Sequence, residues 1–217
     1  NYPRALHTLN AILDAWRLNQ PIPPSPRKLF EELQRMQAIP LNNRTFSIVM
    51  DAAISRDDPP EFCETILNYM LQCPKPESST TSRLPDTHAF TTVLKAWAKS
   101  KRPDRAYRSQ ALFSDFCNVC KSLPDAMPNT VSYNTLLESL VAPINCNAER
   151  WQNLERAEVI FHDMLSQPYH NVAPNTTTYR LLIFAWADLS LKCRRAKEPD
   201  QGKIAMEIKN APYSDGL

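Results

Sequence analysis

Cysteine, histidine and carboxylate side chains are where chemistry would be sought first in this chain. Cys117 and Cys120, in "CNVC", stand one helical turn apart, a spacing that suits two zinc ligands. A zinc site needs two more ligands, and the sequence has no second Cys-x-x-Cys and no paired histidine. The two thiols are therefore expected to pack rather than to bind metal. His162 stands in "HDM", not in the His-x-Glu of a zinc deaminase. His7, His88, His162 and His170 are scattered. There is no glycine-rich phosphate loop, no nucleophile elbow and no His-Glu-x-x-His. Carboxylates are numerous but fall in linkers and on polar helix faces. The expectation is a chain with no catalytic residue, no metal and no cofactor. The other cysteines, Cys63, Cys73, Cys146 and Cys193, are irregularly spaced and read as reduced thiols of an intracellular compartment.

The elements that would position any functional side chain are read from two unusual counts. The 217 residues include only 2 glycines but 19 prolines. Sheets and hairpins commonly need glycine at turns of positive φ, so a β-rich fold is a poor reading. The prolines cluster in short segments such as "PIPPSP" and "LPDAMPN", and the stretches between them look helical. No apolar run is long enough for a membrane-spanning helix, so no membrane insertion is expected. The chain starts at Asn1 rather than Met, which suggests a processed or partial protein whose targeting segment is not visible. The formal net charge is only +2, too little for bulk attraction to nucleic acid.

The helical stretches repeat. An aromatic residue or Leu followed by apolar residues at i+3, i+4 and i+7 occurs five times. The stripes are Leu9, Ile12, Leu13, Trp16; Phe46, Val49, Met50, Ala53; Phe90, Val93, Leu94, Trp97; Tyr133, Leu136, Leu137, Leu140; and Tyr179, Leu182, Ile183, Trp186. A second stripe follows each of the first four, for example Cys63, Ile66, Leu67, Met70 and Ala157, Ile160, Phe161, Met164. A degraded version stands at Ile204, Ala205 and Ile208. Each unit is thus a hairpin of helix A and helix B, which buries its apolar face only against neighbouring units. "KPESSTTSRL" and "APINCNAERWQN" read as surface insertions between helices. Asp86, Asn129 and Asn175, each after a proline and just before a helix A, are suited to N-capping.

The stretch "PNTVSYNTLLESL", with "ERAEVIFHDMLSQ" and "APNTTTY", resembles a pentatricopeptide repeat. The resemblance covers nearly the whole chain, as units 6–42, 43–86, 87–129 and 130–175 and a partial unit 176–217. A tetratricopeptide array fits less well, because it wants a glycine turn and an early tryptophan in helix A. The resemblance implies an all-α, right-handed superhelical solenoid that binds single-stranded RNA, about one base per repeat. In the family two positions choose the base: the residue after the helix-A aromatic and the last residue of the unit. The matching pairs are Asn10 with Asn42, Ser47 with Asp86, Thr91 with Asn129, and Asn134 with Asn175. The implied reading, 5′ to 3′, is pyrimidine, guanine, adenine, pyrimidine. Val131 matches the family's base-clamping position, which is filled by His7, Arg44, His88 and Thr177 in the other units. Arg180 takes the base-choosing place in the fifth unit and suits phosphate or protein contact.

Lys95 and Lys99, one turn apart on a helix A, could meet phosphates. So could Lys101, Arg102 and Arg105, and Lys192, Arg194, Arg195 and Lys197. Asp14, Asp51 and Glu138 occupy the place that Lys95 fills in its unit, which opposes polyanion binding at that level. The resemblance implies an organellar RNA-binding protein of a mitochondrion or plastid, acting in RNA processing, stability or translation. The alternative is a structural adaptor in a large organellar ribonucleoprotein such as a ribosome, touching ribosomal RNA and proteins.

Overall fold

The computed structural model describes residues 2–18, 24–36, 41–72, 84–123, 126–142, 147–166 and 172–195. Among them are nine α-helices and no strand. The helices are α1 (Tyr2–Leu18), α2 (Pro26–Arg35), α3 (Asn43–Ser55), α4 (Pro60–Gln72) and α5 (Thr87–Lys99). They continue as α6 (Arg105–Val119), α7 (Thr130–Val141), α8 (Asn147–Ser166) and α9 (Thr176–Arg195). The odd-numbered helices form one row, each packed on the next from α1 to α9. The even-numbered helices form a second row: α4 sits against α3 and α5, α6 against α5 and α7, and α8 against α7 and α9. This is the all-α solenoid that the repeat pattern implies, with helix A of each unit in the first row and helix B in the second.

Local sequence sets the helix starts. Asn42, Asp86 and Asn129 accept a hydrogen bond from the third backbone N–H of α3, α5 and α7, and Asn175 does the same for α9 through Thr178. Each cap contributes about 1 kcal/mol by satisfying an otherwise orphaned amide. Ser25 caps α2, whose first residue is Pro26, where a missing N–H costs nothing. Asp57 follows α3 with φ 54°, the left-handed conformation that glycine commonly supplies. A short aspartate side chain tolerates this region, one way the chain turns without glycine.

The core runs along the interface of the two rows. Each helix-A aromatic meets an aromatic of helix B. Phe46 packs on Phe30 of α2 and Tyr69 of α4, Phe90 stacks on Phe116 at 4.3 Å, Tyr133 meets Phe113 at 4.8 Å, and Tyr179 meets Phe161 at 5.5 Å. Such pairs add about 0.5–1.5 kcal/mol each beyond area burial. Val93, Leu94, Trp97, Leu136 and Leu137 are fully buried. Cys63 is buried in the same core, and Cys63, Cys117 and Cys120 are free thiols. Burial pushes the Cys63 thiol up to about 12 and Cys117 up to about 11.

Three expectations need correction. Residues 147–153 of the expected insertion "APINCNAERWQN" are the first turns of α8. Arg150 there is buried and pairs with Asp188 of α9, and Trp151 packs edge-on against Trp186. The stripe residues Ile12, Tyr179 and Ile183 are exposed, because α1 and α9 each have an odd-numbered neighbour on one side alone among the described residues. Arg102 and Arg105 are engaged: Arg102 pairs with Glu61 and Asp104, and buried Arg105 donates to the Ser100 carbonyl. Burial also pulls the Arg105 guanidinium below its ordinary range. Lys197 and the stripe Ile204, Ala205, Ile208 lie outside the described residues, as do Cys73, Cys146 and His170. The backbone of Lys192, Arg194 and Arg195 continues α9.

Candidate nucleic-acid interface

Ser47, Thr91, Asn134 and Arg180 lie in the second turn of α3, α5, α7 and α9, and Asn10 lies in the middle of α1. The cap residue that closes the unit lies at the start of the next odd-numbered helix. Packing of that row therefore joins positions that are distant in sequence. Asn134 Nδ2 donates to Asn175 Oδ1 at 3.1 Å, across 41 residues. Asn10 Nδ2 donates to Asn42 Oδ1 at 3.4 Å, across 32 residues. Thr91 and Asn129 are bridged by Ser132, whose hydroxyl lies 2.8 Å from that of Thr91 and donates to Asn129 at 3.2 Å. Ser47 and Asp86 line one cavity, and Asp86 Oδ2 accepts from Asn43 Nδ2 at 2.8 Å. Two pairs are thus joined directly and one through Ser132, while Ser47 and Asp86 share a cavity.

Capping fixes which atom each pair has left. The Oδ1 of Asn175 accepts from the backbone N–H groups of Thr177 and Thr178, besides Asn134. Its Nδ2 must then point away from the helix start, so the exposed atom is a donor. Thr178 Oγ1 also donates to Asn134 Oδ1 at 2.6 Å, so Asn134 too has an N–H to spare. Asn42 has the same arrangement, with Thr45 in place of Thr178, but there Asn10 is 6% exposed. Asp86 uses Oδ1 for the cap and presents only acceptors.

The remaining candidates sit apart from these pairs. Val131 is exposed on the first turn of α7, and Arg180 is exposed on α9. Lys95 and Lys99 are exposed on α5. Lys99 lines a cavity with Asp57, Asp58, Lys101 and Arg102 at the C-terminal end of α5, away from Thr91. Thr87 and Thr130 donate to the carbonyls of Met127 and Ala173, tying each unit to the entry of the next. Among the described residues no three His, Cys, Asp or Glu side chains converge as metal ligands, and no helix is long and apolar enough to cross a membrane.

One feature of the array escaped the sequence reading. Trp97 Nε1 donates to Glu64 of α4 at 2.7 Å, and Trp186 Nε1 donates to Glu158 of α8 at 3.0 Å. Arg108 completes the first pair by binding Glu64 and lying over the Trp97 ring. The signal was in the sequence. Both tryptophans stand seven residues after the helix-A aromatic, and both glutamates directly follow the small residue that opens the helix-B stripe, Cys63 or Ala157.

No family model and no curated protein matches the sequence. Among solved structures, the crystal structure of the pentatricopeptide repeat protein PPR10 from maize is similar, with a TM-score of 0.59 at 19% identity. The similarity covers 94% of this chain. This chain has the pentatricopeptide repeat fold. It spans 24% of the length of the maize chain. In this chain the row of odd-numbered helices carries a polar pair in each of the first four units, with Asn10 of the first pair buried.

Proposed function

We propose that the chain binds single-stranded RNA along its row of odd-numbered helices and does no chemistry of its own. The observation that supports this reading best is the Asn134–Asn175 contact, in which capping consumes the carbonyl oxygens and leaves amide donors. Two outward N–H groups match the acceptors of a pyrimidine edge, O2 and N3 of cytosine or a uracil carbonyl. Thr91 and Asn129 offer a hydroxyl and an amide in the next position, for which adenine is the expected base. Exposed Val131 offers an apolar surface for a base to stack against. These residues make the centre and C-terminal part of the row the RNA-reading part. The proposed setting is RNA processing, stability or translation in a mitochondrion or plastid.

The test is a salt series with short oligonucleotides that vary at two adjacent positions. Adenine followed by pyrimidine is expected to bind best, with affinity falling as salt rises. Asn134→Ala and Thr91→Ala should each cost about three- to tenfold, at the matching base alone. Equal affinity for all sequences, or none at low salt, overturns the proposal. The adaptor reading, in a large ribonucleoprotein, is favoured by one observation: Asp14, Asp51 and Asp86 line the same cavity in the N-terminal part of the row.

A further inference from the structure

The cavity between α1, α3 and α5 differs in charge from the rest of the row. It encloses about 340 Å³ and is lined by Asp14, Asp51, Asp86, Asn43, Arg44, Ser47, Ile48 and His88. Three carboxylates face one guanidinium, and that guanidinium is already held: Arg44 Nη2 lies 2.9 Å from Asp14 Oδ2. Asp14 is shared further with Arg17. Asp51 has no ion pair among the described residues. Adjacent helices pack about 8–10 Å apart, so a phosphate bound here would sit within about one Debye length of several carboxylates.

A second observation is independent of charge. Ser47 lines the cavity, is 5% exposed, and its hydroxyl makes no hydrogen bond among the described residues. Its hydroxyl opens into the acidic cavity with no side chain or backbone group committed to it, so it is available to a ligand's N–H. The neighbouring cavity, about 640 Å³, shares Asp14 and Arg44 and is continuous along α1. Its wall is apolar, built from Leu6, Ala11, Ala15 and Leu18.

We propose that this trough docks an extended basic peptide of a partner protein, with an arginine or lysine end in the acidic cavity and an aliphatic side chain in the apolar one. The cationic head meets Asp51 and Asp86, with Ser47 Oγ accepting a further N–H, and Leu6 and Leu18 bury the aliphatic side chain. The trough takes in Ser47 and Asp86, one of the four base-choosing pairs, but none of Thr91, Asn129, Asn134 and Asn175, on which the RNA reading is tested, so failure of one and failure of the other are distinguishable.

The test uses the full chain and a fluorescent peptide alternating arginine and leucine, read by anisotropy. A peptide alternating glutamate and leucine is the charge control. The cationic peptide is expected to bind and the acidic one not to. Asp51→Asn with Asp86→Asn should weaken binding about tenfold or more. Asn at 86 still caps α5, so the fold is preserved. Asp51→Lys, as a second variant, should abolish binding by reversing the charge. Glu138→Gln, at the same level of the fourth unit, and Asn134→Ala should leave the affinity unchanged. Equal loss with Glu138→Gln, no loss in either aspartate variant, or no preference for the cationic peptide overturns the proposal. So does an oligonucleotide with guanine that displaces the peptide and itself loses affinity in the aspartate variants, because the trough then holds RNA.

Discussion

Helices α5 and α9 carry the same apolar spacing, an aromatic residue followed at i+3, i+4 and i+7 by two aliphatics and a tryptophan. Their environments differ. Phe90 is 1% exposed and Val93, Leu94 and Trp97 are fully buried, whereas Tyr179 is 48% and Ile183 is 64% exposed. Among the described residues α5 has α3, α4, α6 and α7 around it, and α9 has α7 and α8. The pattern that makes a helix amphipathic thus does not by itself bury it. In a solenoid, burial is supplied by the next unit.

Substitutions at matching positions sharpen this contrast. Trp97→Ala should cost about 3–5 kcal/mol, since the ring fills a closed slot and its N–H satisfies Glu64. Trp186→Ala should cost about 1–2 kcal/mol, because that side of α9 is half open. Equal losses in urea unfolding would break the comparison. Leu94→Ala should cost about 2–5 kcal/mol, and Ile183→Ala should stay within about 0.5 kcal/mol.

The half-buried ion–indole contact gives a smaller effect. Glu64→Gln should cost about 1–2 kcal/mol, since it weakens bonds to both Trp97 and Arg108. Glu158→Gln should cost about half as much, because Trp186 is its one partner among the described residues. A double-mutant cycle of Glu64→Gln with Trp97→Phe should give less than the sum of the two singles. A further effect is in pH. Cys63 is held protonated by burial, with its folded value raised from 9.0 to about 12. Its contribution is complete below pH 9 and is lost as pH rises toward 12, at most about 1.4 kcal/mol per unit. Urea midpoints should therefore fall above pH 9, and less steeply in Cys63→Ala.

Much of the candidate interface is legible in the sequence. Asp86, Asn129 and Asn175 read as caps because a short polar side chain after proline, ahead of an apolar stripe, has one common structural use. The pairing of Asn134 with Asn175 followed from the family resemblance. That one cap oxygen serves three donors, leaving only amide hydrogens outward, followed from the packing of α7 beside α9. Arg102 and Arg105 looked like phosphate ligands because sequence reports charge but not occupancy, and both are committed to the protein itself. The start of α8 was hidden because Arg150 and Trp151 follow a proline-containing stretch and resemble a linker in composition.

The sequence alone determined the helices, their caps and the repeat, because these depend on contacts within a few residues of one another: a side-chain oxygen three residues from an amide, or an apolar side chain every third or fourth position. Tertiary structure decided which carboxylates share a cavity, which arginines are taken, and which stripes are covered. Those depend on side chains 30 to 45 residues apart, such as Asn43 with Asp86 or Glu64 with Trp97, meeting across a row of helices.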